Sequence, residues 1–262
     1  MKRLIVCADD YALSPGVSAA IRELASAGRL NATSVMTPGP DLAAEAARLS
    51  ALGLDGFQIG LHVTLTSGLT PLTAPGLPRY FDLGPLMLRC FLRAVDTRRL
   101  AAEIEAQFAA FQGVFGRPPD FIDGHQHVHL LPVIRPLVLD AARRHAPHAW
   151  LRQCRGAGEG LKGRIISALS GGLVADARVL GFATNPGFSG AYEFERAAAF
   201  AELFPRFLSG LPDGGLVMVH PGHVDEALKR VDPVHAPRAA EYAYLAGPAF
   251  PVALAAAGFS LS

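Results

Sequence analysis

Short β-branched runs alternate with longer helical patterns along the 262 residues, as expected for parallel strands joined by crossover helices. "RLIVCAD" reads as a buried first strand, and "SPGVSAAIRELASAGR" as the helix after it, with Ser14 as N-cap and Pro15 at the first helical position. Further strands are predicted in "ATSVMTP", "FQIGLHVTL", "DFIDGH", "AWLRQC" and "GGLVMVHPG". Helices are predicted over "DLAAEAARLSALG", "LPVIRPLVLDAARRH" and "EFERAAAFAELFPRFLSGL", and near Leu161–Leu169. "TRRLAAEIEAQFAAFQGVFG" is amphipathic, with Phe108, Phe111 and Phe115 on one face. The C-terminus reads as a helix plus a short tail. Six or seven strands result, which fits a (β/α) barrel, irregular or seven-stranded, with an open doubly wound sheet as the alternative. No repeat or linker divides the pattern, so one domain over residues 1–262 is expected. The Pro-, Gly- and Thr-rich stretch Thr66–Asp82 reads as a long loop, of a length that usually marks a lid or disorder.

Composition narrows the function. Half the residues are apolar, enough for a large core, and 24 basic residues balance 23 acidic ones. That balance excludes the basic footprint of a nucleic-acid binder and a polybasic membrane patch. Cys7, Cys90 and Cys154 are odd in number and far apart, so they form neither a disulfide framework nor a CxxC metal pattern. The apolar start "MKRLIVCADD" stops at two aspartates, well short of a signal peptide, and "PAFPVALAAAGF" is too short for a membrane span. A reducing compartment and a cytoplasmic location are expected.

The informative polar residues sit where strands end. Asp9 and Asp10 close the first strand, His62 the third, Asp123 and His125 the fourth, and His220 the last strong one; Arg152 lies on the fifth. In both candidate architectures the carboxyl ends of the strands form the active face. Singly, each residue has a plain structural reading: either aspartate can cap a turn, and His62 can be a hydrogen-bonded core histidine. Together they read differently. One aspartate can ligate a metal while its neighbour faces substrate as a general base. With His62 and His125 it makes a two-imidazole, one-carboxylate set with open positions, suited to a divalent ion.

In "DGHQHVH" the three histidines cannot all share one ion, because positions four apart on a strand are about 13 Å distant. His125 is the expected ligand. His127 and His129 are expected to line the site, orient neighbours or cap the next helix, and Asp123 to accept an imidazole N–H behind the metal. His220 is a candidate general acid. Arg152, inside an apolar strand, can pair with a structural carboxylate or hold Asp9 ionised.

With "ADDYALS", "IGLHVTL", "FIDGHQHVHLLP" and "VMVHPGHVD" in that order, the chain from Leu4 to about Gly258 resembles the YdjC-like carbohydrate deacetylase family. The resemblance implies a barrel related to that of NodB-type polysaccharide deacetylases, and frequently a homodimer. It implies a divalent ion, commonly magnesium, on Asp10, His62 and His125, with Asp9 as catalytic base and His220 as acid. The donor chemistry alone points to zinc before magnesium, which prefers oxygen shells. The family usually reads ADDFG where this chain has Ala8-Asp9-Asp10-Tyr11-Ala12, which puts a glycine-dependent turn in question. Many members also carry a histidine at Gln126. The loop Thr66–Asp82 and "ATNPGFSGAY", centred on Phe188, match the family poorly and are expected to contact substrate.

The implied reaction is hydrolysis of an N-acetyl group from an N-acetylated amino sugar, either a chitooligosaccharide or an N-acetylglucosaminyl glycolipid, releasing acetate. A metal-dependent phosphoesterase, a catalytically inactive sugar-binding protein of the same fold, and a purely structural role for the histidines are the alternatives.

Overall fold

A computed structural model describes residues 1–77, 79–156, 160–194 and 200–261. Strand β1 (Lys2–Tyr11) is followed by α1 (Pro15–Ser26), β2 (Ala32–Val35), α2 (Leu42–Ser50), β3 (Gln58–Val63), α3 (Leu83–Phe91) and α4 (Thr97–Phe115). Then come β4 (Phe121–Gly124), a tight turn His125–Leu130, α5 (Ile134–His145), β5 (Trp150–Leu151), α6 (Gly160–Leu180), β6 (Phe188–Ser189), α7 (Phe200–Leu208) and β7 (Gly215–Val219). Helices α8 (Glu226–Val231), α9 (Ala236–Ala246) and α10 (Ala249–Ala256) and strand β8 (Phe259–Leu261) finish the described chain.

Strand order is β5-β4-β3-β2-β1-β7-β6, with β8 beside the start of β1, and every pairing is parallel. The far edges nearly meet. Leu151 bridges Thr184, and four residues later Phe188 pairs with Leu216 of β7, so the segment between β5 and β7 curls the sheet into an irregular, incompletely closed barrel. The apolar strand residues account for this. Leu4, Val6, Leu61, Ile122, Leu216 and Val217 are fully buried, as parallel strands covered on both faces must be. Phe108 and Phe111 of α4 are buried against them, while Phe115 is partly exposed.

Ser14 caps α1 by accepting the Val17 N–H at 3.3 Å, with Pro15 at the first turn. Differences from the sequence reading lie in irregular regions. The fifth strand is only Trp150–Leu151; Arg152 to Cys154 leave it because Gln153 bonds Asn185 instead of continuing a ladder. The helix near Leu161–Leu169 runs on to Leu180. The helix expected from Glu193 is described from Phe200 to Leu208, and residues 195–199 of that expectation lie outside the described residues. Helix α3 forms where the sequence pattern predicts no element, and the C-terminal part holds three helices and a strand rather than one helix and a tail. The loop before α3 is tied down: buried Glu103 of α4 accepts from the Leu72 and Thr73 amides at 3.1 and 2.9 Å, and also from the Tyr80 hydroxyl. No described helix is long and apolar enough to cross a membrane.

Candidate active site

β1 bulges where it meets β2, between Ala8 and Tyr11, and Asp10 adopts φ 71°. This left-handed residue, strained without glycine, breaks the alternation of the strand. Asp9 therefore turns into the barrel and Asp10 toward its rim, and neighbouring carboxylates face different partners. Ala12 has φ 72°, so the turn that lacks the family's usual glycine is made here by alanine.

Inside the barrel, Arg152 holds Asp9 with both terminal nitrogens, at 2.6 and 2.7 Å, and lies 2.6 Å from Asp123 Oδ2 and 2.9 Å from Cys7 Sγ. Cys7, Asp9 and Asp123 thus converge like metal ligands, but the guanidinium fills the space between them. Burial pushes the Asp9 carboxyl up; the charges of Arg152 and His62 and the Arg152 hydrogen bonds outweigh it and hold Asp9 at about 2. Burial pushes the Cys7 thiol well up, so it is inert rather than nucleophilic.

One layer toward the rim, His62 of β3 stands beside its register partner Asp123 of β4, with Nδ1 2.6 Å from Asp123 Oδ1 and 2.9 Å from Ser34 Oγ. Its Nε2 faces Asp10 Oδ1 at 3.2 Å, and His125 Nδ1 faces the same oxygen at 2.9 Å. Donor atoms of Asp10, His62 and His125 all lie within 4.8 Å of one another. Burial would keep His62 neutral, yet the carboxylates of Asp123, Asp10 and Asp9 push it up to about 10. Asp10 is held well below the usual carboxylate range, its burial outweighed by Arg238 and His125.

The turn after β4 separates the histidines. Gln126 and His127 both have positive φ, 52° and 60°, which swings alternate side chains apart. His127 Nδ1 lies 3.6 Å from Cys154 Sγ, and its ring meets Phe188 edge-on with centroids 5.9 Å apart. Burial, reinforced by the charges of His129 and Arg152, holds His127 well below its ordinary value. His129 turns inward, its Nε2 2.9 Å from the Arg152 carbonyl, and steadies the end of β5. His220 follows β7. Its backbone N–H donates to Glu241 Oε2 at 2.5 Å, its ring Nδ1 is buried without a partner, and Phe194 meets its ring edge-on at 5.5 Å.

Arg238 and Glu241 of α9 escaped the sequence reading. Arg238 reaches Asp10 Oδ2 at 2.6 Å, and Glu241 also accepts from the Tyr192 hydroxyl at 2.7 Å. A signal existed: in "APRAAEYAYLA" both share the helical stripe of buried Leu245, where apolar residues belong.

The sequence profile of the family described as YdjC-like protein matches residues 3–256. The chain belongs to the YdjC-like protein family. This YdjC-like protein is 38% identical to a chitooligosaccharide deacetylase of Enterobacter sp. (strain 638) over 144 residues, 55% of this chain and 56% of that one. It is 42% identical to a chitooligosaccharide deacetylase of Yersinia pestis (strain Pestoides F) over 147 residues, 54% of this chain and 56% of that one. The matches thus span little more than half the length of these relatives. Among solved structures, a proposed cellobiose-phosphate cleavage protein of Enterococcus faecalis V583 is similar at TM-score 0.75 and 22% identity, covering 100% of this chain and 97% of that one. The Lactam Utilization Protein of Thermus thermophilus reaches 0.53 and 17%, covering 100% and 99%. Both likenesses are of fold.

Proposed function

We propose that this YdjC-like protein hydrolyses the N-acetyl group of an N-acetylated amino sugar, releasing acetate, with the help of one divalent cation. The observation that carries the reading is the adjacency of two differently prepared carboxylates, Asp9 locked to Arg152 and Asp10 facing two imidazoles. The donor set fits a cation: one carboxylate oxygen and two ring nitrogens converge, and His62 is backed by Asp123 as metal-bound histidines usually are. Asp10, His62 and His125 would hold the ion, and when bound it supplies Lewis acidity toward the amide carbonyl.

The chain's own groups account for the protons. Asp9, kept ionised by Arg152, takes one from the attacking water as its oxygen bonds the carbonyl carbon. His220, whose charge is among those that help hold Asp9 ionised, gives one to the nitrogen as the C–N bond breaks. Without that proton an amine leaves poorly. His127, neutral beside Phe188, and Phe194 beside His220 offer aromatic edges and ring faces for a pyranose. Similarity to chitooligosaccharide deacetylases supports an N-acetylated sugar as substrate.

Acetate release across N-acetylated chitooligosaccharides and N-acetylglucosaminyl glycolipids, with and without chelator, tests the proposal. Release that chelator abolishes and a divalent ion restores is expected. Turnover of phosphate esters without acetate release, or saturable sugar binding without turnover, would overturn it.

A further inference from the structure

Arg238 is 2% exposed, although it lies on a helix near the end of the chain. Its Nη2 donates to Asp10 Oδ2 at 2.6 Å and also to Asp232, and its Nε donates to the Val234 carbonyl at 3.1 Å. Its stem passes over Gly222, where an added methyl group would lie 3.4 Å from the Arg238 Cβ and Cδ. The guanidinium therefore has little freedom to leave Asp10. The other oxygen of the same carboxylate, Oδ1, is the one that faces His62 and His125. A carboxylate oxygen already bonded to a buried guanidinium is a poor donor to a second cation.

We propose that Arg238 is a positioning residue that reserves Asp10 Oδ2, confines Asp10 to one-oxygen ligation, and thereby sets which divalent cations the site accepts. The inference rests on reading Asp10, His62 and His125 as a cation site. One oxygen and two imidazoles suit ions content with few, nitrogen-rich ligands, such as Zn²⁺, and disfavour ions that seek many oxygens. The guanidinium charge also weakens attraction for any divalent ion, most of all for those held mainly by charge. A merely structural arginine would affect stability and leave the relative affinities of two ions alone.

Calorimetric titration of the metal-stripped full chain with Zn²⁺ and with Mn²⁺ tests this, with folding checked by circular dichroism. Arg238→Gln is expected to bind Mn²⁺ about tenfold tighter or more, the scale on which groups behind a ligand act, while Zn²⁺ affinity changes less. Arg238→Lys keeps a charged donor and should preserve the wild-type ratio of the two affinities. Asp232→Asn, which frees Arg238 to act on Asp10 alone, should weaken Mn²⁺ binding, and it serves if Arg238→Gln does not fold. An unchanged Zn²⁺-to-Mn²⁺ ratio in a folded Arg238→Gln, or unchanged Mn²⁺ affinity in Asp232→Asn, overturns the proposal. If the wild type binds neither ion, the cation site itself is lost, and this inference with it.

Discussion

Arg152 grips Asp9 through both of its terminal nitrogens, at 2.6 and 2.7 Å, across 143 residues of chain. Both side chains are buried, and the same guanidinium reaches Asp123 at 2.6 Å. Removing it leaves two carboxylates without their cation in the barrel. Arg152→Met is expected to lose about 3–5 kcal/mol of stability by urea titration. Arg152→Lys keeps a charge but not the fork. Asp9, now held at about 2, should then rise, and because the base works ionised, the acid limb of kcat/KM should move to higher pH. An unmoved limb would separate Asp9 from the base.

Asp10 and His62 predict a ligand effect on stability. A cation bound only by the native site, at a concentration about 100 times its Kd, adds about 2.7 kcal/mol. Thermal unfolding should therefore shift upward with added ion and back with chelator in the wild type. In Asp10→Asn and in His62→Ala the shift should vanish. A variant that keeps the shift would show that its residue is no ligand.

His129 predicts a pH dependence of folding. Burial holds it down to about 4, against an ordinary 6.5. As pH falls the unfolded chain takes up the proton first, so stability is full above about 6.5 and declines as pH drops toward 4. His129→Gln, which keeps a donor for the Arg152 carbonyl, should flatten that decline in urea midpoints measured from about pH 7 to pH 4. Parallel curves for variant and wild type would refute the assignment.

Ala12 and Gly39 predict opposite effects at one turn. Ala12 sits at φ 72°, a conformation that costs a residue with a Cβ about 1 kcal/mol or more. Glycine relieves that strain but loses more entropy on folding, so Ala12→Gly should gain about 0.5 kcal/mol net. A Cβ on Gly39 would lie 2.1 Å from the Ala12 carbonyl oxygen, inside backbone rather than a movable side chain. Gly39→Ala should therefore cost about 1–3 kcal/mol, with a matching fall in the melting temperature.

What the sequence determined by itself was the strand-and-helix rhythm and the rank of polar residues at strand ends. Asp9, Asp10, His62, Asp123, His125 and His220 could be found because a charged or imidazole side chain closing an apolar run is a local anomaly, visible without neighbours. The tertiary structure decided which of them meet. His62 faces Asp123 because β3 and β4 pair in that register, and the left-handed Asp10 sends adjacent carboxylates to different partners. It alone brought Arg238 and Glu241 of α9 to the rim, Arg238 from 228 residues beyond Asp10. Periodicity reports which face of a helix is buried, not what it is buried against, and contacts between distant segments leave no mark on the spacing within either one.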